Sequence, residues 1–219
     1  MTTGKTVDEL SKGCWKKKHQ LLDRCCGFIW QNYSQLGYRT AYAEDGVQIA
    51  NFRPGFKHQP TDYYHNVLFY RLGVTLGHQS SRVCKLCLGP RLGFQVVLDQ
   101  VEKMAFRMRA DRSPYFQFAW TTDLSHEHLN EGKLGDAPLL QTLQWFQAER
   151  YLNNTVFILV SDHGMRLSGI IHTLQGKIES RMPFLYFVFL EWFKEQYRVA
   201  VNNFVEFGVT GVCAKILRP

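Results

Sequence analysis

Six residues, Thr155-Val-Phe-Ile-Leu-Val160, run without a charged side chain and hand over directly to Ser161-Asp162-His163-Gly164. An apolar run of that length reads as a central strand buried on both faces, and such strands belong to parallel sheets covered by helices. In open α/β sheets ligands collect beyond the carboxyl ends of the strands, so Asp162 and His163 stand where a site belongs. A carboxylate beside an imidazole suits zinc or manganese better than calcium or magnesium, which favour all-oxygen shells. Gly164 is expected to turn the backbone sharply away from the pair. The same four residues also fit a plain turn opened by Asp162, with His163 incidental to it.

The rest of the chain alternates helical and extended patterns, which predicts an α/β fold: a largely parallel sheet flanked by helices, in a single domain over residues 1–219. A helix is expected from Leu21 to Leu36, with Ile29, Tyr33 and Leu36 on one face and Gly37 as its stop. Tyr38 to Ala43 reads as a strand ending on the acidic pair Glu44-Asp45. Residues 51–90 carry scattered Pro and Gly and read as an irregular insertion, with one short helix around Tyr63 to Leu72. Val97, Val101, Met104 and Met108 are spaced helically, and Phe116 to Trp120 forms the next strand. That strand delivers three further potential ligands, Asp123, His126 and His128, which equally fit a helix cap or a polar loop. Asp136 is expected to cap a helix through Leu139, Leu143, Phe146 and Arg150, closed by Asn153. Pro183 to Phe189 is the last predicted strand.

Charge and cysteines exclude more than they assign. The net charge of +7 gathers at Lys12, Lys16, Lys17, Lys18, His19 and Arg24. No stacking aromatics are interleaved there, so a solvated helix face is expected and a nucleic-acid partner is not. Cys84-Lys-Leu-Cys87 is a lone C-x-x-C running into Leu88-Gly-Pro-Arg91, which reads as a loop. With no second pair, disulfides or buried thiols are expected rather than a structural zinc site. Asn32-Tyr-Ser34 and Asn153-Asn-Thr155 are glycosylation sequons, which lean toward an exported ancestor. The first ten residues show no signal-peptide pattern. No window approaches the ~18 apolar residues of a membrane span.

Several ordered blocks carry a resemblance. They are Cys26-Gly-Phe-Ile-Trp-Gln-Asn-Tyr33, Gly37-Tyr-Arg-Thr-Ala-Tyr-Ala-Glu-Asp45, Pro60-Thr-Asp-Tyr-Tyr64 and Leu124-Ser-His126. They continue with Leu152-Asn-Asn-Thr155, Ser161-Asp-His-Gly164, Thr173-Leu-Gln-Gly176 and Glu179-Ser-Arg-Met-Pro183. In this order the series resembles an animal sulfatase-like family of unknown function within the alkaline phosphatase superfamily, whose members hydrolyse or transfer phosphate and sulfate esters.

The resemblance implies that Asp162 and His163 are ligands of a divalent metal, and that His126 is a catalytic residue reaching a second metal or the ester substrate. It also implies an anionic ester as partner and a secreted or membrane-tethered location. Two departures follow from it. Thr122 stands where relatives place Asp four residues before the histidine, and Asp123 comes one residue late. His172 is the remaining candidate for a last metal histidine. Thr3-Gly4 matches the turn that follows the superfamily's nucleophile, and Val209 to Pro219 lacks the family's closing strand and helix, so the resemblance implies a chain truncated at both ends, without the attacking residue and self-associating through an incomplete sheet. Thr2 and Thr3 are the substitutes available, at an end expected to fray. A non-catalytic binding or structural role for the fold is the alternative reading.

Overall fold

The computed structural model describes residues 2–13, 27–45, 56, 58–66, 69, 75, 86–167 and 169–198. The chain forms two compact units, Met1–Leu124 and Ser125–Pro219.

In the first unit a turn at Thr3-Gly4, with Gly4 at φ +62°, leads into helix α1 (Val7–Gly13). Thr6 and Glu9 cap it reciprocally: the Thr6 N–H and hydroxyl donate to the Glu9 carboxylate (2.7 and 2.9 Å), and the Glu9 N–H donates to the Thr6 hydroxyl (3.3 Å). The start of the chain is tied down rather than frayed, because the Thr2 carbonyl accepts the Ile29 N–H at 2.8 Å.

Helix α2 (Ile29–Gln35) is shorter than the sequence pattern predicts. Gly27 is not helical and Phe28 is extended (φ −82°, ψ 146°), its N–H donating to the Gln31 side chain; residues 21–26 lie outside the described residues. The predicted stop holds: Gly37 takes φ +83°, where a β-carbon would be strained.

The sheet of this unit has the order β2-β1-β5 and is parallel throughout, with β1 Arg39–Glu44, β2 Tyr63–Tyr64 and β5 Tyr115–Trp120. The register runs from Arg39 opposite Tyr115 to Glu44 opposite Trp120. Strand alternation gives β1 two different faces. On one, buried Tyr42 lies within stacking range of Trp30 (5.6 Å), Tyr64 (5.6 Å) and Phe118 (5.5 Å), and Trp30 stacks on Phe28 at 4.5 Å. On the other, Ala41 and Ala43 are fully buried, and their small side chains let helix α3 (Gly93–Ala110) seat Val97, Met104 and Met108 close to the strand. The helical spacing read from those residues is therefore observed.

β2 has only two residues, and side chains do the work of a longer ladder. The Asp62 carboxylate accepts both the N–H and the hydroxyl of Thr40 (2.7 and 2.9 Å), and Gln59 donates to the Thr61 and Asp62 carbonyls. The helix expected around Tyr63 to Leu72 thus yields its first two residues to the sheet, while Asn66 and Phe69 are helical. Leu88-Gly-Pro-Arg91 is a tight antiparallel hairpin rather than a loop. It joins β3 (Cys87–Leu88) to β4 (Arg91–Leu92), with Gly89 at φ +62° supplying the turn. Arg91 clamps the hairpin to α3 through both oxygens of Asp99 (2.5 and 3.0 Å).

Helix α4 (Asp123–His126) follows β5, and the second unit continues with α5 (Asp136–Ala148). Asp136 is the first helical residue and makes no capping bond, because Gly135 already occupies the cap position. Arg150, not Asn153, ends the run: it adopts φ +57° so that Tyr151 can turn inward and stack on Trp145 at 4.7 Å. A 3-10 turn, Tyr151–Asn153, then leads to β6 (Phe157–Val160).

β6 departs from expectation. It pairs antiparallel with β7 (Leu185–Val188), Phe157 opposite Val188 and Val160 opposite Leu185, and Ile158 is 52 % exposed. Phe157 packs inward against Phe146 at 5.5 Å, so the side chain next to it must face out. Helices α6 (Leu174–Glu179) and α7 (Glu191–Gln196) flank β7 in the chain. The fold class stands: a mixed α/β chain with a parallel sheet flanked by helices. Among the described residues no helix is long and apolar enough to cross a membrane.

Trp30, 1 % exposed, touches both the aromatic face of β1 and Phe28. Trp30→Ala is expected to lower unfolding free energy by about 3–5 kcal/mol. Leu36→Ala, at a position 74 % exposed, stays within about 0.5 kcal/mol. Urea denaturation followed by far-UV circular dichroism measures both.

Candidate functional site

Where β6 ends, Ser161 extends the pairing by one residue. Its N–H donates to the Phe184 carbonyl (3.0 Å), and its hydroxyl accepts the Phe184 N–H (2.9 Å). That anchor fixes the backbone from which Asp162 and His163 project. Asp162 turns back on the next residue, its Oδ1 accepting the His163 N–H at 2.9 Å.

The imidazole of His163 is oriented from both ends. Nδ1 lies 2.7 Å from the Gly164 carbonyl, which can only accept, so Nδ1 carries the proton. Nε2 is met by the Arg166 guanidinium, which can only donate, so Nε2 presents its lone pair. Asp162 Oδ2 lies 3.2 Å from that same Nε2. Two acceptors therefore converge, with a cationic group upon one of them. Both side chains remain partly open to solvent (49 % and 31 %).

Behind the pair runs a close-packed loop. Gly164 has no positive φ; its requirement is space, since a β-carbon there would lie 2.2 Å from the Glu179 carbonyl oxygen. The sharp turn expected of this glycine is thus a close approach of two backbones. Gly176 is tighter still, at 1.9 Å from the Ile170 carbonyl oxygen. Thr173 caps α6, accepting the Gly176 N–H (3.0 Å) and donating to the Ile170 carbonyl (2.7 Å).

A family model described as a protein of unknown function, DUF229, matches residues 1–206. The chain belongs to the DUF229 family. Searches of curated proteins and of solved structures found no match.

In this DUF229 chain the other sequence-predicted residues are scattered. His126 closes α4 and pairs through Nδ1 with Glu127 at 2.8 Å. His128 and His172 are exposed, His172 at the end of the 3-10 turn Gly169–His172. Thr2 and Thr3 are half-buried, the Thr3 hydroxyl accepting the Lys5 N–H at 3.3 Å. Among the described residues no group of three or more His, Cys, Asp or Glu side chains is arranged to hold a metal ion. Asp162 and His163 are brought together; His126 is joined to neither by a hydrogen bond or ion pair among those residues.

The structure also reveals a polar cluster at the carboxyl end of the parallel sheet. Glu44 is buried and accepts the Tyr42 hydroxyl and the Asn66 amide (3.1 Å). Burial, then the Glu44 charge, pushes the Tyr64 phenol up to about 12, and the same causes push Tyr42 up. Burial and then Lys103 lower the neighbouring His65. Asp45 accepts the N–H groups of Thr122 (2.7 Å) and Asp123 (3.4 Å), stitching the end of β1 to the end of β5 and opening α4. The signal in the sequence is an acidic pair at the end of one strand and Thr-Thr-Asp directly after another.

Gly164→Ala and Gly176→Ala are each expected to lower stability by about 1–3 kcal/mol, because backbone atoms and not flexible side chains must yield. Gly132→Ala, with nothing within 4 Å of the added carbon, is expected to leave the melt unchanged. Differential scanning calorimetry distinguishes them.

Proposed function

We propose that this DUF229 chain is a metal-dependent ester hydrolase domain of the alkaline phosphatase and sulfatase type, with Asp162 and His163 as ligands of one divalent cation. The supporting observation is the 3.2 Å separation of Asp162 Oδ2 and His163 Nε2. For bonds of about 2.0–2.1 Å at a tetrahedral angle, two ligand atoms stand about 3.3 Å apart. The Gly164 carbonyl holds the tautomer that frees Nε2, the arrangement common to metal-bound histidines. Arg166 is a stand-in cation at that lone pair.

The donor set, one carboxylate and one imidazole, favours zinc or manganese over calcium. Two protein ligands half-fill a tetrahedral shell, so binding is weak, and Arg166 competes for it. When bound, the metal supplies positive charge that activates an attacking group and stabilises ester oxygens. The chain's own residues have separate tasks. Asp162 and His163 position that charge, Gly164 permits the close backbone packing beneath them, and His126 contacts the phosphate or sulfate ester or protonates its leaving group. The matched motifs include no attacking hydroxyl or thiol.

A non-catalytic reading, in which the fold is kept for its surface, draws on the pairing of His126 with Glu127 and on the absence of a third metal ligand among the described residues.

The deciding assay uses aryl phosphate and aryl sulfate with added zinc, manganese, magnesium or calcium. The 219-residue chain is expected to turn them over slowly, since attack by unpositioned water forgoes the advantage of a held nucleophile. A chain extended with the strand and nucleophile segment of a longer relative is expected to be active. In it, Asp162→Ala or His163→Ala lowers kcat/KM by about 10²- to 10³-fold. Metal-independent activity, or activity indifferent to both substitutions, contradicts the reading. An extended chain that folds, binds no metal and turns over neither ester supports the non-catalytic one.

A further inference from the structure

We propose that Asn153 is an acceptor for N-linked glycosylation, carried on the turn at the start of β6. The inference is independent of the metal reading. The chain holds two sequons, Asn32-Tyr-Ser34 and Asn153-Asn-Thr155, and the fold treats them differently.

Asn32 and Ser34 both lie inside α2. At roughly 100° per residue, their side chains leave the helix axis roughly 200° apart. The residue between them, Tyr33, is stacked on Phe116 at 4.4 Å and meets Tyr38 edge-on at 5.1 Å. A transferase that needs the asparagine amide and the hydroxyl two residues later on one side must unwind this helix and lift Tyr33 from its packing.

Asn153 has neither constraint. It is exposed and closes the 3-10 turn Tyr151–Asn153, followed by Asn154 at φ −130° and ψ 2°, also exposed. The turn is anchored from within by Tyr151, which is buried against Trp145 and Phe146. With Tyr151 fixed inward and Leu152 half-buried, Asn153 and Asn154 are the exposed residues of the turn, and half-buried Thr155 follows just before the strand. Only the short turn, held by the Asn153 N–H on the Arg150 carbonyl (3.3 Å) and the Asn154 N–H on the Tyr151 carbonyl (3.1 Å), has to open for the sequon to bend into a transferase. Asn153 precedes β6 and Asp162 follows it, so a glycan emerges at the opposite end of that strand from the Asp162–His163 pair.

The co-reactant is an oligosaccharide linked through its anomeric carbon to a lipid diphosphate. The bond between that carbon and the diphosphate oxygen breaks, and a bond from the carbon to Asn153 Nδ2 forms. The amide proton leaves Nδ2, and the lipid diphosphate departs with the bonding electron pair. No oxidant or reductant enters.

The test directs the full chain, behind a cleavable secretory leader, into eukaryotic cells and reads the total cellular protein. N-glycosidase treatment in heavy-oxygen water followed by peptide mass spectrometry is expected to label residue 153. Asn153→Gln and, independently, Thr155→Ala are each expected to remove one glycan-sized step from the electrophoretic mobility, whereas Asn32→Gln leaves that step in place. Thr155→Ser, which restores the hydroxyl, is expected to restore modification. An unlabelled residue 153, or a mobility step that survives both Asn153→Gln and Thr155→Ala, overturns the proposal.

Discussion

The parallel alignment of β1 with β5, six residues in register from Arg39 to Glu44, decides what surrounds it. It sets Tyr42 beside Phe118, which gives Trp30 an aromatic surface to close over, and so fixes α2. It leaves Ala41 and Ala43 on the opposite face, where α3 approaches. It also brings the residues after both strands together, and there Asp45 caps the backbone at Thr122 and Asp123. A shift of one residue would turn every β1 side chain to the other face, placing tyrosine against the helix and alanine against the tryptophan. The Asp45 bonds lock the register at its far end, while the paired bonds between Thr40 and Asp62 hold the near end of β1 to the short β2.

In the second unit the proposed metal chemistry depends on a backbone carbonyl. An unrestrained histidine samples two tautomers, whereas the Gly164 carbonyl favours the one with its proton on Nδ1. That carbonyl is itself held by close packing of Gly164 on Glu179 and Ser180, and the Glu179 segment is positioned by α6, which Thr173 caps. The order of causation runs from a threonine cap, through a glycine contact, to the electronic state of an imidazole. Two of the blocks that carry the resemblance, Thr173 to Gly176 and Glu179 to Pro183, lie along this route.

Much of the first unit was legible in the sequence. Alternation and β-forming residues marked β1, helical spacing marked α3, and Gly37 marked the end of α2. These signals are local, and local geometry answers them. The pairing of β6 was not legible, because an apolar run records burial and not the direction of its neighbour. Ile158 is as apolar as Leu159, yet only the position of Phe157 against Phe146 settles which side faces out. The hairpin at Leu88 to Arg91 was missed because its strands are two residues long. The closeness of Asp162 and His163 was legible because they are adjacent in sequence; the place of His126 depends on tertiary structure that spacing does not encode. The DUF229 match over residues 1–206 gives the family, while the sulfatase-like relationship and the ester chemistry stand as our proposal.

The central claim is that Asp162 and His163 form a metal-binding pair with Nε2 of His163 as the donor atom. Long-range 1H–15N correlation spectra of the histidine side chains, recorded during zinc titration, address it directly. The account predicts that His163 responds first among the histidines, with a coordination shift at Nε2 and a proton retained on Nδ1. It also predicts that Asp162→Ala weakens the response and Arg166→Gln strengthens it. A His163 spectrum unchanged at saturating zinc, with the shifts confined to other histidines, would contradict it.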